Sequence, residues 1–279
     1  MTIGISPCPN DTFIFEGIYN QRIDLQGIKY EFIMGDVEEL NNMAMEGRLD
    51  VTKISFNAFT KVLDQYELLH SGSALGRNCG PLLISKVPID LNSINHLTVA
   101  IPGKNTTANL LLTIAYPHLQ KKKEMIFHEI EDALLNEEVD LGLIIHENRF
   151  TYHGKGLKKV RDLGEYWEET YHHPIPLGGI AVKRDLDAEI KQIINRSIKL
   201  SIEYAFAHPD IVKPWIKEHS QEMDNEVIDQ HIGLYVNEFS IDLGNEGRKA
   251  VKTLIQAMVD REIMKYPEKN IFLEGNQTA

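Results

Sequence analysis

The sequence predicts an α/β protein of two facing lobes with a ligand cleft between them, and three observations predict it. Short apolar, partly β-branched runs alternate with segments of helical period along most of the chain, the succession that builds strands covered by helices. One transition occurs twice. Residues 40–55 (LNNMAMEGRLDVTKIS) and 134–147 (LLNEEVDLGLIIHE) each pass from an acidic helix end, through Leu-Asp or Val-Asp, into a short apolar strand that stops at a polar residue. Finally, the apolar run 141–145 breaks off at His146, Glu147, Asn148 and Arg149. Buried parallel strands of this kind present ligand groups beyond their carboxyl ends.

His146 therefore stands at the rim of a cleft, where an imidazole with an ordinary pKa near ~6.5 exchanges protons at cellular pH. It can equally cap the strand by hydrogen bonding a loop carbonyl. Ser55 holds the place of His146 in the first copy, which sets Lys53 and Ser55 on one wall and His146 on the other. Lys53 is either a ligand contact or a surface charge. Helix, Asp, strand is also a common succession, so the echo alone leaves coincidence open.

The 279 residues suffice for one large or two modest domains, with an apolar fraction that supports real cores. A formal charge of -12, with no basic cluster beyond Lys121, Lys122 and Lys123, argues against nucleic acid or an anionic membrane as the main partner. A small anionic ligand remains compatible, because a local pocket can oppose the global charge. Cys8 and Cys79 are too few and too far apart for a disulfide framework and are expected as buried free thiols. With no basic-then-apolar leader at the start, they point to the cytoplasm. No apolar run approaches the roughly 20 residues of a membrane span. A homodimer is neither required nor excluded.

In order, Thr2–Ile5 is expected as a strand, followed by a turn at Pro7, Pro9 and Asn10 and a helix from near Phe13 capped by Asp11 or Thr12. That helix start would attract carboxylates or phosphates. Cys8 lies between two prolines with no base beside it in sequence, which speaks against a nucleophile. Residues 28–34 read as a strand, Val37–Met45 as a helix with Leu40, Met43 and Ala44 on one face, and 51–54 as a strand. Residues 71–81 are Gly-rich and turn-like, and Leu82–Ser85 is a strand. Residues 96–101 form a strand, 102–105 a turn, and a helix begins at Thr106 or Thr107, whose hydroxyl and backbone donors could meet an anion. PGKNTT lacks the upstream glycine of a nucleotide-binding loop, so that function is discarded. Residues 126–130 are expected as a strand and 132–136 as a helix. Neither His172-His173 nor His146 with His153 has the i, i+4 spacing of helical zinc ligands, so no metal site is indicated. Residues 177–183 form a return strand. The remainder is mostly helical, with Ile190, Ile193, Ile194 and Ile198 at helical spacing, interrupted at 235–244.

SPCPNDTFIF, VTKIS, SGSALGRNCGPLL, PGKNTTA, LGLIIHENRFTY, DLGEYW, PLGGIAVKRDL, YAFAHP and YVNEFSIDLG occur in this order nearly end to end. Together they resemble the 1,4-dihydroxy-6-naphthoate synthase family of the futalosine route to menaquinone. The resemblance implies a type 2 periplasmic-binding-protein-like fold without export, with 1–88 and 178–279 in a larger lobe and 89–177 in a smaller one. It implies a carbon-carbon lyase that converts cyclic dehypoxanthine futalosine, an aromatic carboxylate, to 1,4-dihydroxy-6-naphthoate, releasing a sugar-derived fragment without metal or organic cofactor. His146 would be the proton acceptor, and Lys53, Ile54, Ser55, Thr106 and Thr107 the substrate contacts. A non-catalytic solute-binding module and a lyase like chorismate dehydratase are the alternatives. The IIHENRFTY stretch speaks against the second, since a histidine base fits the naphthoate-forming step.

Overall fold

The structure is a computed structural model that describes residues 1–220 and 224–275. Residues 221–223 and 276–279, which fall in the expected larger lobe, lie outside the described residues.

The chain builds two sheets. It opens with β1 (Thr2–Ile5), α1 (Pro9–Tyr19), β2 (Glu31–Met34), α2 (Val37–Met45), β3 (Val51–Ser55) and α3 (Phe56–Phe59). Then come β4 (Tyr66–Leu68), β5 (Ala74–Gly76), β6 (Leu82–Ser85), β7 (Val99–Ile101), α4 (Thr107–Ala115), β8 (Lys122–Glu124), α5 (Ile130–Leu135) and β9 (Leu141–Ile144). After α6 (Asn148–Thr151), β10 (Lys158–Asp162) and α7 (Leu163–Tyr171), the long β11 (Ile175–Lys183) leads into α8 (Ala188–Ala207), α9 (Pro209–His219), α10 (Asn225–Tyr235), α11 (Glu238–Ile241) and α12 (Gly244–Val259). The first sheet has the order β2-β1-β3-β11-β4, with β5 also on β11; the second has the order β10-β6-β9-β7-β8. β1 is parallel to β2 and β3, and β7 to β8 and β9, whereas β11 runs antiparallel to β3.

Local chemistry accounts for the helix starts nearest the cleft. Asp36 accepts from the N–H groups of Glu38 and Glu39, so α2 begins at Val37 and buries Leu40, Met43 and Ala44, as its pattern predicts. Thr106 accepts from the Asn109 N–H and caps α4. The start of α1 differs from expectation: it lies at Pro9, with Cys8 in the cap position, because a proline at the first position loses no helical hydrogen bond. Asp11 is inside the helix and its carboxylate is used elsewhere.

Three further expectations change. Residues 126–130 hold a 3-10 turn (Phe127–Glu129) and the start of α5 rather than a strand, since a short apolar run does not separate strand from helix. The strand beside β7 is the charged Lys122–Glu124, which suits a sheet edge. β5 lies within the Gly-rich stretch 71–81, and β6, expected before a boundary at 88, is hydrogen bonded in the second sheet. The first crossing between sheets therefore falls at 77–81.

That crossing is packed and pinned. A Cβ at Gly80 would stand 2.2 Å from the Gly164 nitrogen, so only glycine fits there. Arg149 donates to Gly80 O at 2.5 Å, Asn78 O at 2.8 Å and the Asp162 carboxylate at 2.6 Å. Beneath the first sheet, Ile3, Ile5, Ile14 and Phe15 are 0% exposed, each burial contributing about 1.5–3 kcal/mol. Trp167 is likewise fully buried and donates its indole N–H to Pro174 O at 3.2 Å beside the return crossing.

Candidate active site

β3 and β9 both end at one cavity of about 620 Å³, counted to its open mouth. Lys53, Ile54 and Ser55 reach it from β3, Thr106 and Thr107 from the start of α4, and His146 from just beyond β9. All six sequence-predicted residues thus share a single cavity, but they do not all present what was expected.

The Thr106 hydroxyl donates to Gly103 O at 2.8 Å, and the Thr107 hydroxyl to Leu177 O at 2.5 Å. Each hydroxyl hydrogen is spent on the protein, so the donors α4 offers to an anion are its first backbone N–H groups, at Thr107 and Ala108, which no helical carbonyl can satisfy. Ser55 is the reverse case. Its N–H donates to Asn41 Oδ1 at 2.9 Å and its oxygen accepts from Asn41 Nδ2 at 3.1 Å, leaving the hydroxyl hydrogen for the cavity.

Lys53 is not a surface charge. Its ammonium is buried and lies 2.5 Å from Asp11 Oδ1. Asp11 also accepts from Ser6 N at 3.1 Å, Ser6 Oγ at 2.8 Å and Asn10 Nδ2 at 2.8 Å. The opposite charges compensate each other and the Asp11 carboxylate is fully ligated, which is what makes a buried charge tolerable. Its remaining ammonium hydrogens are what Lys53 can offer a ligand.

His146 has φ of 56°, a left-handed backbone uncommon outside glycine, where such strain collects at functional sites. Its half-buried ring meets the edge of Phe127 at 5.1 Å and lies parallel to the His231 ring at 6.1 Å. Burial pulls its pKa down to about 4; the Asp11 carboxylate opposes this and the Lys53 ammonium adds to it. At neutral pH the imidazole is therefore a free base.

Sequence reasoning missed Asn10 and His231, and marked Tyr235 only as the start of the interruption at 235–244. Asn10 and Tyr235 line the cavity, and His231, buried on α10, contacts Asn10 Oδ1 through Nε2 at 3.0 Å. Because Asn10 gives its amide hydrogen to Asp11, its oxygen faces His231, and the His231 proton resides on Nε2. Burial holds His231 well below the usual histidine range, with His146 adding to the effect. The register of α10 brings His231 and Tyr235 to the cleft, which no local motif announces, while Asn10 comes from the first turn of α1.

Cys8 also gains a neighbourhood that its sequence context hid. Its sulfur, an imidazole nitrogen of His146 and a carboxylate oxygen of Glu147 lie within 4.8 Å of one another. A thiol, an imidazole and a carboxylate are donors a divalent metal can use. Burial, and then the Glu147 charge, push the Cys8 thiol well up, favouring a protonated sulfur that is neither ligand nor nucleophile.

A family profile described as menaquinone biosynthesis matches residues 1–260. The chain is 43% identical over 254 residues to 1,4-dihydroxy-6-naphthoate synthase of Thermus thermophilus, covering 91% of this chain and 92% of that protein. It is 42% identical over 261 residues to the protein of the same name from Streptomyces coelicolor, covering 91% of each. A solved structure from Archaeoglobus fulgidus matches with a TM-score of 0.89 at 33% identity, over 94% of this chain and 98% of that one. The ligand-binding component of an ABC-type import system from Staphylococcus aureus matches at 0.73 and 14% identity, over 98% and 96% of the two chains. The periplasmic aliphatic sulphonate-binding protein of Escherichia coli matches at 0.64 and 10% identity, over 100% and 95%. Those last two likenesses are of fold alone, and they bear out the periplasmic-binding-protein-like architecture. On the profile match and the two enzyme relatives, the chain belongs to the menaquinone-biosynthesis family, among its 1,4-dihydroxy-6-naphthoate synthases.

Proposed function

We propose that the protein acts as a carbon-carbon lyase on cyclic dehypoxanthine futalosine, with His146 as general base and 1,4-dihydroxy-6-naphthoate as product. The observation that carries this is a neutral imidazole in the same cavity as an unspent Ser55 hydroxyl and the open N–H groups of α4. The substrate carboxylate is held by the α4 N-terminus and Ser55, and Lys53 adds a charge-assisted hydrogen bond without leaving Asp11. His146 takes the proton whose loss starts cleavage and returns it to the departing fragment. A bound anion raises the imidazole pKa toward neutrality, where a base is most effective.

The lobes in this account are residues 1–81 with 175–275 and residues 82–174, closing on the substrate to exclude water and fix geometry. Glu38 of α2 already reaches across, accepting from the side-chain amide of Asn105 at 2.7 Å. Two buried free thiols suit the cytoplasm, and among the described residues no helix is long and apolar enough to cross a membrane.

The test is incubation of the purified protein with cyclic dehypoxanthine futalosine while naphthoate absorbance is followed. The expected result is stoichiometric appearance of the aromatic product. Tight binding without product would instead indicate a solute-binding module, and failure to bind would remove this substrate altogether.

A further inference from the structure

A second recess, of about 530 Å³ counted to its open mouth, adjoins the first. The two share Val37 and His146 in their linings, so the imidazole stands in the partition. Their chemistry differs. The first is walled by flat apolar groups such as Ile54, Pro81, Ala108 and Leu177, with hydrogen-bond donors at Ser55 and the start of α4. The second presents the carboxylates of Asp36 and Glu147, the Cys8 thiol, the backbone at Gly35 and the ring of Phe127.

We propose that the second cavity is the subsite for the part of the substrate that leaves, a neutral, hydroxyl-rich, sugar-derived fragment, while the aromatic carboxylate portion occupies the first. This rests on the lyase function proposed above. A base that starts cleavage must lie beside the bond that breaks, so the two fragments sit on either side of it. His146 is the titratable residue common to both linings. Charge sets the orientation. A carboxylate is drawn to the N–H groups of α4 and repelled by Asp36 and Glu147, whereas hydroxyl groups find acceptors in those same carboxylates. Asp36 spends Oδ1 on the N–H groups of Glu38 and Glu39, which leaves Oδ2 for a ligand hydroxyl. Phe127 supplies a ring against which the C–H face of a sugar can lie.

Two full-length variants test this. Asp36→Asn removes the charge and keeps a residue that caps helices well, and Met34→Trp fills the cavity from β2, in the other sheet from His146. For each, KM is measured for cyclic dehypoxanthine futalosine, and Kd for 1,4-dihydroxy-6-naphthoate by fluorescence titration, with circular dichroism to confirm folding. Asp36→Asn is expected to raise the substrate KM about tenfold, the loss of one hydrogen bond to a charged group, Met34→Trp is expected to raise it at least as much by occupying the space, and both should leave the product Kd within about twofold. A product Kd that rises with KM by the same factor, or a KM that does not move in either variant, overturns the subsite. Wild-type protein that forms no product overturns the parent function as well, so the two failures are told apart.

Discussion

The two strand ends that face each other across the cleft are built alike and used differently. At the end of β3 the polar groups are positioned by fixed partners, Lys53 by Asp11 and Ser55 by Asn41, through bonds of 2.5 to 3.1 Å that still leave the Ser55 hydroxyl hydrogen and two ammonium hydrogens for a ligand. Beyond β9, His146 is set by a left-handed backbone and by ring contacts with Phe127 and His231. The first wall is rigid and charge-compensated, as a surface that only binds should be. The second keeps a titratable nitrogen in an environment that disfavours its charge, as a proton acceptor requires. The same helix-to-strand succession can therefore serve either role, depending on what the rest of the chain brings up behind it.

The largest effect should come from breaking the second wall. His146→Asn keeps a polar group there but removes the base, and kcat is expected to fall by about 10²–10⁴-fold with product Kd nearly unchanged, read by steady-state absorbance and fluorescence titration. A wild-type kcat in that variant would remove His146 from the chemistry. On the first wall, Asp11→Asn leaves the Lys53 ammonium buried without its counter-charge. Denaturant unfolding should register a loss of about 3–5 kcal/mol, and an unchanged midpoint would mean that the pair is solvated. A smaller effect is expected from Asn41→Ala, which frees the Ser55 side chain without touching the cavity lining. The substrate KM should rise by about tenfold, the scale of one misaligned hydrogen bond, with kcat retained. If kcat fell and KM did not, Ser55 would act in the transition state rather than in binding.

What could be read from the sequence was local. Asp36 and Thr106 are cap residues in front of helical periods, so α2 and α4 begin where expected. Ser55 and His146 are polar stops after apolar strands, and both reach the cavity. What could not be read depended on distant partners. Asp11 looks like a cap, but its carboxylate is claimed by Lys53, 42 residues away, and α1 starts earlier at Pro9. The threonine hydroxyls look free, but a carbonyl at Leu177 on β11 takes one of them. His231 comes to Asn10 across 221 residues, and Cys8 meets His146 and Glu147, from just beyond β9, with ligand atoms within 4.8 Å of one another. β6 pairs in the second sheet although it precedes the expected boundary at 88, and the crossing ahead of it uses Gly80, whose need for a close approach is invisible without Gly164.

Whether burial keeps His146 a neutral base can be read from two titrations on one protein. Selectively labelled imidazole resonances give the His146 pKa in the free enzyme, and the pH dependence of kcat/KM gives that of the free enzyme's essential base. A base works only unprotonated, so the rate must fall as pH drops through its pKa. Both curves are expected to turn near pH 4, with the rate flat from there to neutrality. An acid limb at pH 6.5 or above in kcat/KM, with the His146 resonance titrating elsewhere, would contradict this expectation.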